Sequence, residues 1–140
     1  MQFVIVLDGE QRSRIGEIYA RAYALYRSSE GRLGNVGNGD AERNAQQQRT
    51  AGSADFLGEH MGHAPALVLA CCRGRADQDP AAHTALLGSV LPGTWSFMLA
   101  ARLHGLGTCW TTVGMLLESE LAEVVGIRLD RVTIGCLTHA

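Results

Sequence analysis

The stretch SVLPGTWSFMLAARLHGLGTCWTTV, Ser89 to Val113, holds two elements and the turn that joins them. Ser89 and Pro92 mark a helix start, because a serine cap and a proline in the first turn both suit the unpaired amides of a helix N-terminus. From about Val90 to His104 no charge appears before Arg102, which predicts a helix with most of its circumference buried. Gly105-Leu106-Gly107 then stops it. Thr108 to Val113, TCWTTV, is β-branched and aromatic and reads as a strand or strand end.

Working outward, Ala66 to Cys72 (ALVLACC) is a continuous apolar run that reads as a buried strand, closed by Arg73-Gly74-Arg75. Between it and Ser89, the segment Ala76 to Leu87 is polar and then alanine-rich, an expected exposed connection that turns helical late. Near the start, Phe3 to Leu7 (FVIVL) suits a strand buried on both faces, ended by Asp8-Gly9. Asp8 and Gln11 have capping-box spacing, and Ile15, Ile18, Tyr19, Ala22, Leu25 and Tyr26 follow with helical period, so a first helix is expected to about Arg27. Ser28 to Gln48 is rich in Gly, Asn, Arg and Gln without a sustained period and is expected to be a long flexible loop. A weaker helix carries Ala54, Leu57 and Met61 and stops near Gly62. Beyond the central stretch, Leu117, Leu121, Val124 and Val125 face inward on a short helix ending at Gly126, and Val132 to Leu137 is a last strand. Buried strands separated by helices predict an α/β or α+β fold in a single domain.

The bulk properties agree. A chain of 140 residues, 46% hydrophobic and 19% charged, closes one core and is globular. Its 14 acidic and 12 basic residues leave a net charge of -2, no surplus for nucleic acid or an anionic membrane. Every basic residue is arginine, which excludes lysine Schiff bases and the P-loop lysine. Cys71, Cys72, Cys109 and Cys136 lie in apolar runs and no secretory signal pattern opens the chain, so reduced thiols and a cytoplasmic location are expected. The charge-free run from Pro80 to Ala101 is broken by Pro80, His83, Gly88, Pro92 and Gly93 and is read as loop and buried helix, with no membrane partner.

Several chemistries fail on spacing. His60, His63, Cys71 and Cys72 invite a zinc site, but adjacent strand cysteines point to opposite faces and no C-x-x-C or H-E-x-x-H pattern accompanies them. Pairing His83 or His104 with Cys109 or Ser89 as base and nucleophile has no motif behind it, and no G-x-S-x-G elbow is present. Gly105-Leu106-Gly107 lacks the third glycine of a dinucleotide fingerprint and leads from helix to strand, the reverse of a phosphate-cradling loop. Arg73 and Arg75 suit either an anion or a solvated face.

The order of these pieces resembles the FMN-dependent nitroreductase family. The stretch from Ser89 to Thr112 is similar to its buried helix, Gly-Leu-Gly turn and strand end; QFVIVLDGEQRSRIGEIYARAY looks like its first strand and helix, ALVLACCRGR its second strand, and LLESELAEVVGI the helix before the last strand. The resemblance implies a nitroreductase-like α+β fold, a central β-sheet flanked by helices. It implies bound FMN, with Trp110, Thr111 and Thr112 beside the ring, and Ser89 and Pro92 approaching the flavin of the partner in a homodimer. It also implies an oxidoreductase carrying electrons from NAD(P)H through the flavin to a nitroaromatic, quinone or similar acceptor, with the chemistry borne by the flavin. The competing reading is a non-catalytic module of the same fold without flavin. Relative to the family pattern, the chain starts after an Arg-x-Ser-x-Arg motif and ends before a downstream basic residue, so the expected domain over 1–140 is truncated at both ends.

Overall fold

The computed structural model describes residues 1–29, 40–75 and 79–140. Strands β1 (Gln2–Val6), β2 (Leu67–Arg73), β3 (Cys109–Thr111) and β4 (Val132–His139) form one sheet in the order β1-β2-β4-β3, with every pairing antiparallel. The helices are α1 (Gly9–Ser28), α2 (Ala41–His60), α3 (Pro80–Leu103) and α4 (Glu118–Val125), with short 3-10 turns at Met61–His63 and Val113–Leu117. This is the expected mixed fold of helices around a central sheet.

Strand alternation decides which helix packs where. Leu67, Leu69 and Cys71 of β2 join Ile15, Tyr19, Leu121 and Leu137 in the larger core, under α1 and α4. Ala70 and Cys72 face the other way and meet Val90 of α3 and Cys136 of β4. On β4 the alternation slips, because the register shifts between Ala70 and Cys71: Ala70 pairs Cys136 while Cys71 pairs Ile134. Gly135 is therefore the extra residue of a bulge. A Cβ there would lie 2.3 Å from Val90 Cγ1, so only glycine lets α3 seat against the sheet at this point.

Four expectations change. β1 is an edge strand rather than one buried on both faces: Val6 is buried, whereas Ile5 and neighbouring Leu7 are exposed, because β2 holds the place between β1 and β4. The expected loop from Ser28 to Gln48 is helical over 41–48, since Asp40 caps α2 by accepting the Glu42 and Arg43 amides at 3.0 and 3.3 Å. Residues 30–39 of that loop lie outside the described residues. Helix α3 begins at Pro80 rather than near Val90, because Asp79 accepts the Ala81 and Ala82 amides and Pro80 occupies the first turn; Ser89 and Pro92 are interior to it. This also replaces the exposed connection expected up to Leu87, apart from residues 76–78, which are not described. Finally, α3 is largely uncovered in one chain. Only Val90, Thr94 and Ala101 are buried, while Trp95, Leu99 and Leu103 are 55%, 52% and 87% exposed. Among the described residues α3 alone is long and apolar enough to cross a membrane.

Two local expectations at helix ends hold. Asp8 caps α1 by accepting the Gln11 amide at 2.8 Å, and Gly126, at φ 70°, ends α4 in the left-handed conformation.

Candidate functional site

Helix α3 ends at Leu103 with His104 as its cap, and Gly105, at φ 79°, turns the chain back so that β3 can pair with β4. The register sets Cys109 opposite His139, Trp110 opposite Thr138 and Thr111 opposite Leu137. β3 is a three-residue edge strand, and the chain leaves it through Thr112 into the 3-10 turn at Val113–Leu117. Short edge strands leave their last residues facing solvent or ligand rather than another strand. Trp110 and Thr112 are exposed and Thr111 is half-buried.

Trp110 and Thr111 open onto a cleft of about 640 Å³ between α1, α2 and the β3–β4 edge. Its walls are aromatic and apolar: Tyr19, Tyr23 and Tyr26 from α1, Phe56, Leu57 and His60 from α2, and Met61, Val113 and His139. The three tyrosines stand in ring contact along α1, with centroids 6.4 Å apart for Tyr19–Tyr23 and 6.0 Å for Tyr23–Tyr26. The Tyr23 hydroxyl donates to Asp55 Oδ1 at 2.8 Å, tying α1 to α2. His60 lies flat on Phe56, with centroids 4.1 Å apart, and its Nδ1 is 2.9 Å from the Phe56 carbonyl oxygen. Burial holds His139 below its ordinary value, so the ring is neutral near pH 7. No Arg, Asp or Glu lines the cleft among the described residues.

The strand end itself is tightly held. Tyr19, 2% exposed, brings its hydroxyl to 3.0 Å from Thr111 Oγ1, and that oxygen accepts the Val113 amide at 3.3 Å. Burial pushes the Tyr19 phenol above its ordinary value, while the bond to Thr111 opposes the shift.

The other expected site residues lie elsewhere. Thr112 faces a separate hollow of about 300 Å³ with Arg75, His83, Met115 and Glu118. There Arg75 makes two bonds of 2.8 Å to the Glu118 carboxylate, whose Oε1 also accepts the Ile134 amide at 3.2 Å beside the β4 bulge. Ser89 borders a third hollow with Gln2, Cys72, Arg73 and Leu86. Pro92 is exposed on α3 and borders none of these. One chain thus joins Trp110, Thr111 and Thr112 on a single turn but does not bring Ser89 and Pro92 to them. The tyrosine wall was not singled out from sequence as part of a site. Its signal was available: Tyr19, Tyr23 and Tyr26 recur at i, i+4 and i+7, an aromatic stripe down one helix face.

Among solved structures the fold is similar to a BluB-like flavoprotein from Clostridium difficile 630, with TM-score 0.59 and 15% identity over 98% of this chain and 68% of that one. It is also similar to two mutants of the FMN and NADPH-dependent nitroreductase NfnB from Sphigopyxis sp. strain HMH. Their TM-scores are 0.57 and 0.55, at 14% identity, over 99% of this chain and 66% and 65% of theirs. The chain thus spans about two thirds of the length of each. No curated protein sequence matches it significantly. The Nitroreductase family model matches residues 1–138, nearly the whole of the sheet and helices just described, and the chain belongs to that family.

Proposed function

We propose that this protein is an FMN-dependent oxidoreductase carrying electrons from NAD(P)H to a nitroaromatic, quinone or similar acceptor. The observation that carries the reading is the open strand end at Trp110–Thr112, beside an apolar aromatic cleft, in a chain of this family. A flavin ring needs a flat apolar wall together with polar groups at its edge. Trp110, Tyr23 and Tyr26 supply the first; the turn at Thr111 and exposed Thr112, at the margin of the cleft, supplies the second.

In this reading Trp110, Thr111 and Thr112 hold the ring. Ser89 and Pro92 serve the flavin of a second copy, which accounts for their distance from the turn in one chain. The chemistry supplied by bound FMN is hydride acceptance from NAD(P)H followed by electron delivery to the acceptor. The protein's own part is orientation and exclusion of water: the aromatic walls shed solvent, and neutral His139 adds no charge to the cleft. The uncovered face of α3, with Trp95, Leu99 and Leu103, is the proposed homodimer contact, since apolar exposure of this kind marks association surfaces.

A non-catalytic module of the same fold is the second reading. It is favoured by the lack of any arginine in the cleft lining among the described residues, because a flavin phosphate asks for charge-assisted partners. Titration of FMN with the purified protein, read by flavin fluorescence, separates the two. Binding, followed by bleaching of the flavin band with NAD(P)H and its recovery on adding a quinone, is the expected result. Fluorescence unchanged at saturating protein overturns the enzyme reading. Thr112→Pro, which deletes an amide, is expected to weaken FMN binding.

A further inference from the structure

We infer that Tyr19, buried in α1, is a positioning residue that pre-sets the Thr111–Val113 turn for the flavin; the inference rests on the flavin reading above. Thr112 is the exposed residue of this turn, and both its neighbours are anchored. Thr111 Oγ1 accepts the Val113 amide at 3.3 Å, a local hydroxyl-to-backbone bond that closes the turn around Thr112. The same oxygen lies 3.0 Å from the Tyr19 hydroxyl, which comes from an element 92 residues away in sequence. The Thr111 hydroxyl thus joins the turn to the core.

The strength of this anchor comes from where Tyr19 sits. Its ring is 2% exposed and packs among Ile15, Leu67, Leu69, Leu121 and Leu137, so the hydroxyl is delivered from a rigid site. The backbone adds its own constraint, because the Thr112 carbonyl accepts the Met115 amide at 2.9 Å to start the 3-10 turn. With its carbonyl occupied, Thr112 keeps its amide and hydroxyl for a ligand. A three-residue edge strand has few ladder bonds of its own, so the Tyr19–Thr111 bond is the contact that stops it from fraying. Groups held in place before binding cost less to order on binding, which is how Tyr19, acting through Thr111, raises the affinity of the turn for the flavin.

The test is a double-mutant cycle on the full chain with Tyr19→Phe, Thr111→Val and the pair. FMN dissociation constants are measured by flavin fluorescence, and amide exchange at Thr112 and Val113 is measured in the FMN-free protein. Each single change is expected to weaken FMN binding about fivefold, the worth of one ordinary hydrogen bond. The double variant should be no worse than the weaker single one, because both delete the same link. Thr111→Ser, which keeps the hydroxyl, should retain wild-type affinity, and exchange at Thr112 and Val113 should quicken in Tyr19→Phe. Multiplying single effects, or Tyr19→Phe with unchanged affinity and unchanged exchange, overturns the inference. Should Tyr19→Phe fail to fold, Thr111→Val against Thr111→Ser still decides: equal affinities sink it. A wild-type protein that binds no FMN overturns the flavin reading itself, which separates the two failures.

Discussion

Residue by residue, burial rather than type sorts the titratable groups. The four cysteines are free, yet burial pushes Cys71 up to about 12, whereas Cys109 is exposed on β3. At pH 8 a thiol of that kind is ionised in only about one molecule in ten thousand. Iodoacetamide on the native protein is therefore expected to label Cys109 alone, with all four labelled after denaturation; mass spectrometry reads the count. His139 titrates in the opposite sense. Burial lowers it from 6.5, so the unfolded chain takes up protons before the folded one does. The contribution of His139 to stability is full above about pH 6.5 and is lost as pH falls toward its folded value. Urea midpoints at pH 7.5 and 5.5 should differ less in His139→Asn than in the wild type. Of the site, the polar turn was legible because Trp110, Thr111 and Thr112 stand on a strand-forming run after a glycine stop. Tyr19 was legible only as a core residue, since its periodicity shows the face it lies on but not the Thr111 hydroxyl that it meets across 92 residues.

At the level of elements, strong caps and periods were readable and tertiary placement was not. FVIVL reads as a strand in any setting, but whether it lies inside a sheet or at its edge depends on which strands flank β2, which no local pattern specifies. The start of α2, over 41–48, escaped notice because it carries no apolar stripe, whereas the half with Ala54 and Leu57 was expected; of the residues of α2 only Gly58 is buried. Helix α3 was placed too late because two start signals compete, Asp79-Pro80 and Ser89 with Pro92. The first prevails: a proline in the first turn gives up no intrahelical bond, and Asp79 satisfies two amides there. Asp79→Ala is expected to destabilise the protein by about 1 kcal/mol in urea denaturation, while Ser89→Ala, now interior to the helix, should be close to neutral.

For the whole molecule, the sheet has unequal sides. The face under α1 and α4 holds the larger core, whereas α3 is held chiefly through Val90 against Ala70, Cys72 and Cys136 and leaves Trp95, Leu99 and Leu103 uncovered. If that face joins two copies, sedimentation should give a dimer mass for the wild type and a monomer mass for Leu99→Asp. A monomer mass for the wild type at micromolar concentration would remove the homodimer from the proposal. The weak seating of α3 also bears on heat. A helix tethered by so few buried groups lifts at little cost in an isolated chain, so its melting should precede that of the opposite layer and should shift upward on concentrating the sample. Dilution would then loosen this protein as warming does.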